Sequence, residues 1–309
     1  MRRRIGIMAL TLSSLIALTG CTFNNTNTPQ TSNSQQNNNE SLGNQNKIEK
    51  PSYTELNYSN MVDKEMQEEI KKILIKNNIN KDYVEKYFDA VNTYNNMYSG
   101  DLPNTSGFSI SEKSQVPYDT GAFQGKWTEL NDKYIDINCR ISSLRLFNDF
   151  IESEGEFEGD EIYIAMDLST IEDNPEANFD KASLEKFKKV FAAINVEKFG
   201  NDQEIANIIS NEWDKRGVKF KDNENVTLIT GFSKDEEFKE VAIGHVGVAV
   251  KNGDEILFIE KYAPAMPYQV TKFKDMEEVR SYMFDRMIST EGDSALPRPI
   301  IMENNKLMK

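Results

Sequence analysis

The sequence predicts an α+β fold in which helices come first and an antiparallel sheet follows. Two N-terminal segments, 61–77 and 81–99, place apolar residues at helical spacing, with Asn80 between them as a cap or turn. The second half of the chain has short apolar runs that alternate as strands do, and an Asn-Gly pair separates two of them. We therefore expect a helical hairpin ahead of a core with a meandering sheet.

The other elements follow in order along the chain. Residues 100–118 are rich in Gly, Ser, Pro and Asp and are predicted to form a loop. A segment that contains Trp127 then leads to a helix beginning near Cys139, and a strand is expected at 161–168. Helices are predicted at 179–194, 202–216 and about 275–288, and strands at 225–231, 240–250, 255–262 and 267–273.

The N-terminus has the features of a secretory signal. Three arginines precede an apolar stretch at 5–18, which is too short to span a membrane with the expected flanks. It ends in Leu18-Thr19-Gly20-Cys21, which resembles a bacterial lipobox. The resemblance implies cleavage before Cys21, diacylation of its sulfur and a lipid anchor at the outer face of the bacterial cell membrane. An uncleaved anchor with a chance cysteine is the alternative.

The segment after the lipobox is expected to be a flexible tether. Residues 22–50 are mostly Asn, Gln, Ser and Thr, which cannot bury enough apolar surface to fold. The formal net charge of −14 disfavours nucleic acid as a partner. The expected partners are the membrane, through the lipid on Cys21, and by location a cell-envelope peptide as substrate.

These features divide the chain into five predicted parts. Residues 1–20 are the signal peptide, and 21–50 are the lipidated cysteine with its linker. The folded part comprises the helical hairpin and loop at 51–117, the α+β core at 118–289 and a C-terminal tail at 290–309.

His245, the only histidine, lies on a strand that an Asn252-Gly253 turn connects to the next strand. A type I′ turn at this dipeptide pairs Lys251 with Asp254 and places His245 opposite Glu260. Opposed residues of an antiparallel pair share a sheet face, so the carboxylate is placed to hold one imidazole nitrogen. The same face is predicted to carry Ile243, Gly247 and Ala249. A structural histidine in the core would also accept such a partner.

Cys139 is the only cysteine besides Cys21. Apolar residues from 137 to 151 form a helical stripe, and either Asp136 or Asn138 can serve as N-cap. Cys139 then falls in the first helical turn, where the helix dipole favours a thiolate and lowers the pKa of the thiol. A buried, inert cysteine is the alternative.

A cysteine at a helix start, then a histidine on a strand, then an acid on the neighbouring strand, resembles the order of papain-like and NlpC-type cysteine hydrolases. The resemblance covers roughly residues 118–274. It implies a papain-like architecture in which Cys139, His245 and Glu260 are the catalytic residues of a hydrolase or transferase acting on amide, ester or thioester bonds.

The remaining site candidates flank these three. Asn138 is expected to cap the helix, and Arg140 to lower the thiol pKa, bind a substrate carboxylate or form a surface ion pair. Papain-like enzymes place an oxyanion-hole Gln about six residues before the nucleophile, where this chain has Lys133. Gln124 and Asn131 are therefore the candidates for the second oxyanion donor. The sequence has no Cys or His cluster for a metal, and no cofactor is expected.

Several features also resemble the domain of unknown function 4300 family, found mainly in Gram-positive bacteria. They are the lipobox, the Trp127 region, Asn138-Cys139-Arg140, the motif Gly244 to Val248, and Pro267-Tyr268-Gln269 with Lys272-Phe273. That resemblance implies no activity. Two non-enzymatic functions remain open beside the hydrolase. One is an envelope-assembly or stress factor that acts through protein contacts of the 61–99 helices. The other is a lipoprotein that binds a peptide or small ligand in a groove lined by Tyr262, Pro264, Met266, Pro267 and Tyr268.

Overall fold

The computed structural model describes residues 51–131, 133–288 and 298–309. The signal peptide, the lipobox with Cys21 and the linker predicted at 1–50 lie outside the described residues. The helices are α1 (Lys64–Lys76), α2 (Lys81–Met97), α3 (Thr120–Leu130), α4 (Cys139–Phe147), α5 (Ala165–Asp173), α6 (Lys181–Phe191), α7 (Asp202–Lys215) and α8 (Met276–Ile288). The strands are β1 (Leu56–Ser59), β2 (Ser109–Ser111), β3 (Ile151–Ser153), β4 (Ile194–Asn195), β5 (Val218–Phe220), β6 (Val226–Asp235), β7 (Glu240–Asn252), β8 (Glu255–Lys261), β9 (Tyr268–Phe273), β10 (Ile300–Glu303) and β11 (Lys306–Leu307).

One large sheet organises the described part of the chain. Its strands follow the order β11-β10-β6-β7-β8-β9-β1-β2, with β4 pairing beside β7, and the pairings are antiparallel. The predicted meander is its centre, β6 to β9. Strands β3 and β5 form a separate two-stranded sheet. The fold is therefore α+β, as the sequence predicts.

The β7–β8 hairpin turns one residue later than predicted. Val248 pairs with Ile259, and the two-residue turn is Gly253-Asp254 rather than Asn252-Gly253. The backbone at Gly253 has a positive φ of 66°, whereas that at Asn252 and Asp254 does not. A positive φ at the first central position alone is typical of a type II′ turn, which favours Gly there.

The new turn moves every β7–β8 pair by two residues, so the prediction that His245 directly opposes Glu260 is wrong. A two-residue shift preserves the sheet face of every side chain, whereas a one-residue shift would reverse it. Continued past the last pair, the observed register places Glu260 opposite Gly247 and diagonal to His245. The hairpin therefore keeps the two side chains on one face, as diagonal neighbours.

A β-bulge lies directly beside the histidine. On the β6 side, Gly231 pairs with His245 but the next residue, Phe232, pairs with Ile243, so Gly244 has no opposing residue in β6. The extra residue reverses which side chains of β7 face each side of the sheet in the part of the strand before Gly244. Ile243 therefore packs into the core on the sheet face opposite His245. The prediction that Ile243 shares a face with His245 is therefore wrong. Bulges commonly re-aim a side chain next to a functional site.

The N-terminal hairpin and the C-terminal residues belong to the same packed unit as the core. Helices α1 and α2 start at the side-chain caps of Asp63 and Asn80 and bury their apolar faces in the main core. Strand β1 pairs with β9, and β10 pairs with β6. The boundaries expected near residues 118 and 290 therefore do not mark the edge of a core, because the sheet recruits strands from both ends of the chain.

The strand expected at 161–168 is helical. A short 3-10 turn, Ile162–Ile164, leads directly into α5. The apolar alternation in this segment is misleading because Ile162 is 80% exposed and does not face the core. Helix α5 instead buries Asp167, which forms an ion pair with Arg140 of α4.

The main sheet has a core on each face. The larger core lies between the sheet and most of the helices, including α1, α2, α4, α6 and α7. The smaller one lies on the opposite face, under α8. Within the described residues, none of the helices has both the length and the apolar character that crossing a membrane requires.

Candidate active site

Helix α4 begins at Cys139 because the residue before it is a side-chain cap. Asn138 has extended backbone, and its Oδ1 accepts a hydrogen bond from the Ile141 N–H at 3.1 Å. The free thiol of Cys139 is buried, at 6% exposure. The predicted placement of the cysteine in the first helical turn is confirmed, with Asn138 rather than Asp136 as the cap.

His245 is buried and binds Glu260 through a single ring nitrogen. Its Nε2 lies 2.5 Å from Glu260 Oε2, and the carboxylate is fully buried. Gly247, which the continued register places opposite Glu260, contributes no side chain to this face, and the Phe258 ring packs over it. Since Glu260 occupies Nε2, the ring nitrogen left for the thiol of Cys139 is Nδ1.

Glu260 is itself held by a polar network that the sequence did not reveal. Its Oε1 accepts hydrogen bonds from the Tyr282 hydroxyl at 2.5 Å and from Gln269 Nε2 at 3.3 Å. Gln269 opposes Glu260 across the β8–β9 pair, and its Oε1 accepts from the Tyr118 hydroxyl at 2.8 Å. The alternation of side chains along β9 could have indicated Gln269 as a neighbour of Glu260, whereas no sequence signal pointed to Tyr118.

The thiol and the imidazole shift each other's pKa. Burial by itself raises the pKa of Cys139, but a hydrogen bond with His245 and the charges of His245 and Arg140 outweigh it, so the pKa lies below its usual value. Burial by itself lowers the pKa of His245, but hydrogen bonds with Cys139 and Glu260 outweigh it and raise that pKa. Both shifts favour a thiolate paired with an imidazolium.

The thiol and the imidazole open onto a cavity of about 390 Å³. That volume falls in the range of small-molecule sites. The cavity lies where β7 passes the end of β8 and meets the start of α4. Its walls come from α4, the bulge of β7, the segment after β8, and the end of α8, through Asn138, Cys139, Arg140, Ser233, Gly244, His245, Tyr262, Ala263, Pro264, Arg286 and Met287.

Arg140 is held by the protein rather than available to a ligand. Its Nε and Nη2 donate to the two carboxylate oxygens of Asp167, at 3.1 and 2.7 Å, and its Nη1 donates to the Ile243 carbonyl at 3.0 Å. Asn138 Nδ2 also donates to Asp167. The two residues that flank the thiol therefore share one buried carboxylate. A substrate-binding role for Arg140 is not supported, because its guanidinium fork is already occupied.

The two candidates for an oxyanion donor do not line the cavity. Gln124 lies exposed on α3, and Asn131 caps the end of that helix, where its side chain accepts from the Lys133 N–H. Donors are available at the start of α4 instead, since the first N–H groups of a helix have no intrahelical acceptor. The Asn138 cap serves Ile141, and among the described residues the N–H groups of Cys139 and Arg140 have no acceptor.

Side chains from α4 and from the 3-10 turn before α5 donate hydrogen bonds to β7 carbonyls at the part of β7 that β8 does not pair. Ser143 Oγ donates to the Val246 carbonyl at 3.2 Å, and Tyr163 joins Arg140 in donating to the Ile243 carbonyl. Helix α4 thus substitutes for a neighbouring strand at this point. This substitution fixes the start of α4, and with it the thiol, against the histidine strand.

A buried ion pair joins the segment before α4 to the end of β8. Lys261 Nζ lies 2.7 Å from Asp136 Oδ2, which also accepts from the Ala265 N–H at 2.8 Å. The ammonium lies over the rings of Tyr94 and Tyr268, at 3.6 and 4.3 Å from their centroids. Burial lowers the pKa of Lys261 to about 8, although Asp136 opposes the shift. Asp136, a candidate cap, is therefore an anchor for the neighbouring strand.

Of the residues proposed for a ligand groove, Tyr262 and Pro264 line the cavity. Met266, Pro267 and Tyr268 are buried in the protein. Among residues 51–131, 133–288 and 298–309, no group of three or more His, Cys, Asp or Glu side chains is arranged to hold a metal ion.

Fold and site together define an α+β protein with a buried Cys-His-Glu set at the wall of a cavity. The model of the family described as Domain of unknown function (DUF4300) matches residues 57–308, and the chain belongs to this family. The match extends from β1 to β11, across every boundary expected within the folded part. No curated protein and no solved structure matches the chain.

Proposed function

We propose that this protein is a surface-anchored lipoprotein with a papain-like cysteine hydrolase or transferase domain that acts on amide, ester or thioester bonds. The observation that carries the proposal is the buried imidazole of His245, which binds Glu260 at 2.5 Å through Nε2 and lines the same cavity as the Cys139 thiol. The shifted pKa values of the thiol and the imidazole are those that nucleophilic catalysis needs.

In the proposed reaction the Cys139 thiolate attacks the carbonyl carbon of the scissile bond. His245, protonated when the thiolate forms, gives its proton to the leaving amine or alcohol as the tetrahedral intermediate collapses to an acyl-thioester. Water, or an acceptor amine in a transferase, then loses a proton to His245 while it attacks the thioester. Glu260 keeps the imidazole oriented and stabilises its positive charge.

The negative oxygen of each tetrahedral intermediate needs hydrogen-bond donors. The unpaired N–H groups of Cys139 and Arg140 at the start of α4 are suited to this task, and the helix dipole adds positive potential there. This assignment replaces the side chains of Gln124 and Asn131, which lie away from the cavity.

The papain-like assignment is supported by the chain order of nucleophile, histidine and acid, and by a helix start packed against the histidine strand. The anchor and the location are supported by the Leu18-Thr19-Gly20-Cys21 motif after an apolar signal. Envelope peptides follow as substrates from that location.

Replacing Cys21 with Ser should move the protein from the membrane fraction to the soluble fraction.

The decisive experiment is the alkylation of Cys139 by iodoacetamide from pH 5 to pH 9. We expect a midpoint well below the ordinary value of about 8.5 for a free cysteine. H245A should raise the midpoint to about that ordinary value or above it, because burial then acts unopposed. E260Q should raise it by less.

The matched control is E255Q, a change to an exposed glutamate on the same strand as Glu260. It should leave the midpoint unchanged. A wild-type midpoint near that of a free cysteine, unmoved in H245A, would contradict an activated thiol.

The same proteins separate an enzyme from a binding lipoprotein. Incubation with p-nitrophenyl acetate should place an acetyl group on Cys139 in the wild-type protein, and turnover should release it. C139S and H245A should not turn over. If the wild-type protein forms no acyl adduct and C139S keeps its biological activity, the ligand-binding function is correct.

A further inference from the structure

The cavity beside Cys139 contains a buried cation for which the proposed reaction has no use. Arg286, near the end of α8, lines the cavity at 8% exposure. Its Nη2 donates to the Tyr262 carbonyl at 2.7 Å, and its Nε has no hydrogen-bond partner. Within the described ranges, no carboxylate forms an ion pair with it. A buried charge without a partner is costly unless a ligand completes it.

Arg140 differs from Arg286 in having a carboxylate partner. Both arginines line the same cavity, yet Arg140 is bound by both oxygens of Asp167. Arg286 has only a carbonyl and an aromatic ring, although the chain is strongly acidic, with a formal net charge of −14. Among the residues that the structure describes, Arg286 thus lacks the carboxylate partner that Arg140 has, and its position at the cavity is open to an anion.

Tyr262 holds the guanidinium in place from two sides. The guanidinium carbon lies 3.6 Å from the centroid of the Tyr262 ring, and the Tyr262 carbonyl accepts its Nη2. Tyr262 directly follows β8, two residues after Glu260. The same strand therefore positions His245 through Glu260 and, through the residue that follows it, Arg286. This fixes the position of the Arg286 guanidinium relative to His245.

We propose that Arg286 binds a free carboxylate of the substrate, so that Cys139 acts on a small peptide-like acyl compound with a carboxylate close to the scissile carbonyl. The inference rests on the proposed function and adds the substrate class to it. A planar guanidinium matches a carboxylate through two parallel hydrogen bonds. A single unpaired cation balances a monoanion such as a carboxylate better than it balances a phosphate dianion.

The test uses protection of Cys139 against iodoacetamide by three probes. N-acetylalanine carries an amide carbonyl next to a free carboxylate, N-acetylalaninamide is its neutral counterpart, and inorganic phosphate is the alternative anion. The dissociation constant of each probe is obtained from the slowing of alkylation in wild-type protein, in R286Q and in R286K. R280Q, on the same helix, is the matched control.

We expect wild-type protein to bind N-acetylalanine about tenfold or more tightly than the neutral amide, since hydrogen bonds to a charged group are the strong ones. R286Q should abolish that preference, and R286K should retain part of it, because Lys keeps the charge and loses the fork. R280Q should behave as wild type. Phosphate should protect less than the carboxylate does.

The inference is overturned if wild-type protein shows no preference for the carboxylate, if R286Q keeps the preference, or if phosphate protects more strongly. The wild-type measurement decides even where R286Q does not fold. Failure of the proposed function has a separate signature, which is an ordinary midpoint in the pH profile of alkylation. A low midpoint without carboxylate preference therefore rejects the role of Arg286 alone.

Discussion

At the scale of single residues, the site depends on positions where a side chain is absent. Gly247 shares the sheet face of His245 and Glu260, and the Phe258 ring fills the volume over that glycine. A Cβ at position 247 would lie 2.2 Å from the Phe258 ring. The glycine is therefore required by packing, while its backbone conformation is ordinary for a strand.

Replacing Gly247 with Ala should destabilise the protein by about 1–3 kcal/mol, because the Phe258 ring must leave its place in a packed core. G125A is the matched control: Gly125 lies in α3, and a Cβ there meets no atom within 4 Å. It should stabilise the protein by about 0.5–1 kcal/mol. Urea unfolding of the two variants measures both effects, and equal stabilities would contradict the packing argument.

At the scale of elements, the Asp136–Lys261 pair connects the segment before helix α4 to the end of strand β8. Neither residue lines the cavity, so the pair acts by positioning. Burial disfavours the charged form of both residues, since it lowers the pKa of Lys261 to about 8 and raises the pKa of Asp136. Removing one partner leaves the other charge buried without compensation.

K261M should therefore destabilise the protein by about 3–5 kcal/mol, and the double variant D136N/K261M should recover most of that loss. Denaturant unfolding of the three proteins at pH 7 measures it. If K261M and D136N/K261M are equally stable, the cost is not that of an uncompensated carboxylate.

The same pair predicts a dependence of stability on pH. Between about pH 8 and pH 10, Lys261 binds fewer protons in the folded protein than in the unfolded chain, whose lysine pKa is near its ordinary value. The contribution of Lys261 to the free energy of unfolding therefore increases with pH in this window. Subtracting the unfolding free energy of D136N/K261M from that of the wild type, from pH 8 to pH 9.5, should give a positive slope. A flat or falling difference would show that Lys261 keeps an ordinary pKa.

At the scale of the whole molecule, the described residues form one packed unit that draws strands from both ends of the chain. Strand β10 closes the sheet against β6, and Ile300 and Met302 are fully buried. The family match over residues 57–308 likewise begins within β1 and ends just after β11. The C-terminal residues are therefore part of the core, where composition alone predicts a tail.

M302A should cost about 2–5 kcal/mol of stability, as expected for a large side chain removed from a core. Met166, which is 66% exposed on α5, supplies the matched control. M166A should change stability by no more than about 0.5 kcal/mol. Thermal and urea unfolding distinguish the two, and a small effect of M302A would mean that β10 is dispensable.

Local signals in the sequence predicted most elements and the central set of the site. The capping pattern located the start of the Cys139 helix, and strand alternation placed His245 and Glu260 on one face even though the turn was set one residue early. That error shifted each pair by two residues and so left every face unchanged. The sheet face of a side chain follows from the two-residue period of a strand. It is therefore predicted more reliably than a residue pairing, which depends on the position of one turn.

The features that the sequence did not predict are contacts between distant segments. The Asp167 partner of Arg140, the Tyr282 and Gln269 partners of Glu260, and the place of Arg286 at the cavity follow from how helices pack on the sheet. The bulge at Gly244 has no distinctive sequence pattern. Arg140 illustrates the difference: its place beside the thiol was predictable, whereas its occupation by Asp167 was not.

The tie between Asp136 and the end of β8 also bears on when the site comes into existence. Asp136 and Ala265, which it binds, are 129 residues apart in the chain. Contacts between such distant segments close late, because the entropy of the long loop opposes them until other structure has formed. Until then Cys139 lacks its histidine and has the pKa of an ordinary thiol, protonated at neutral pH. A chain that has not finished folding therefore carries Cys139 without the lowered thiol pKa of the folded protein.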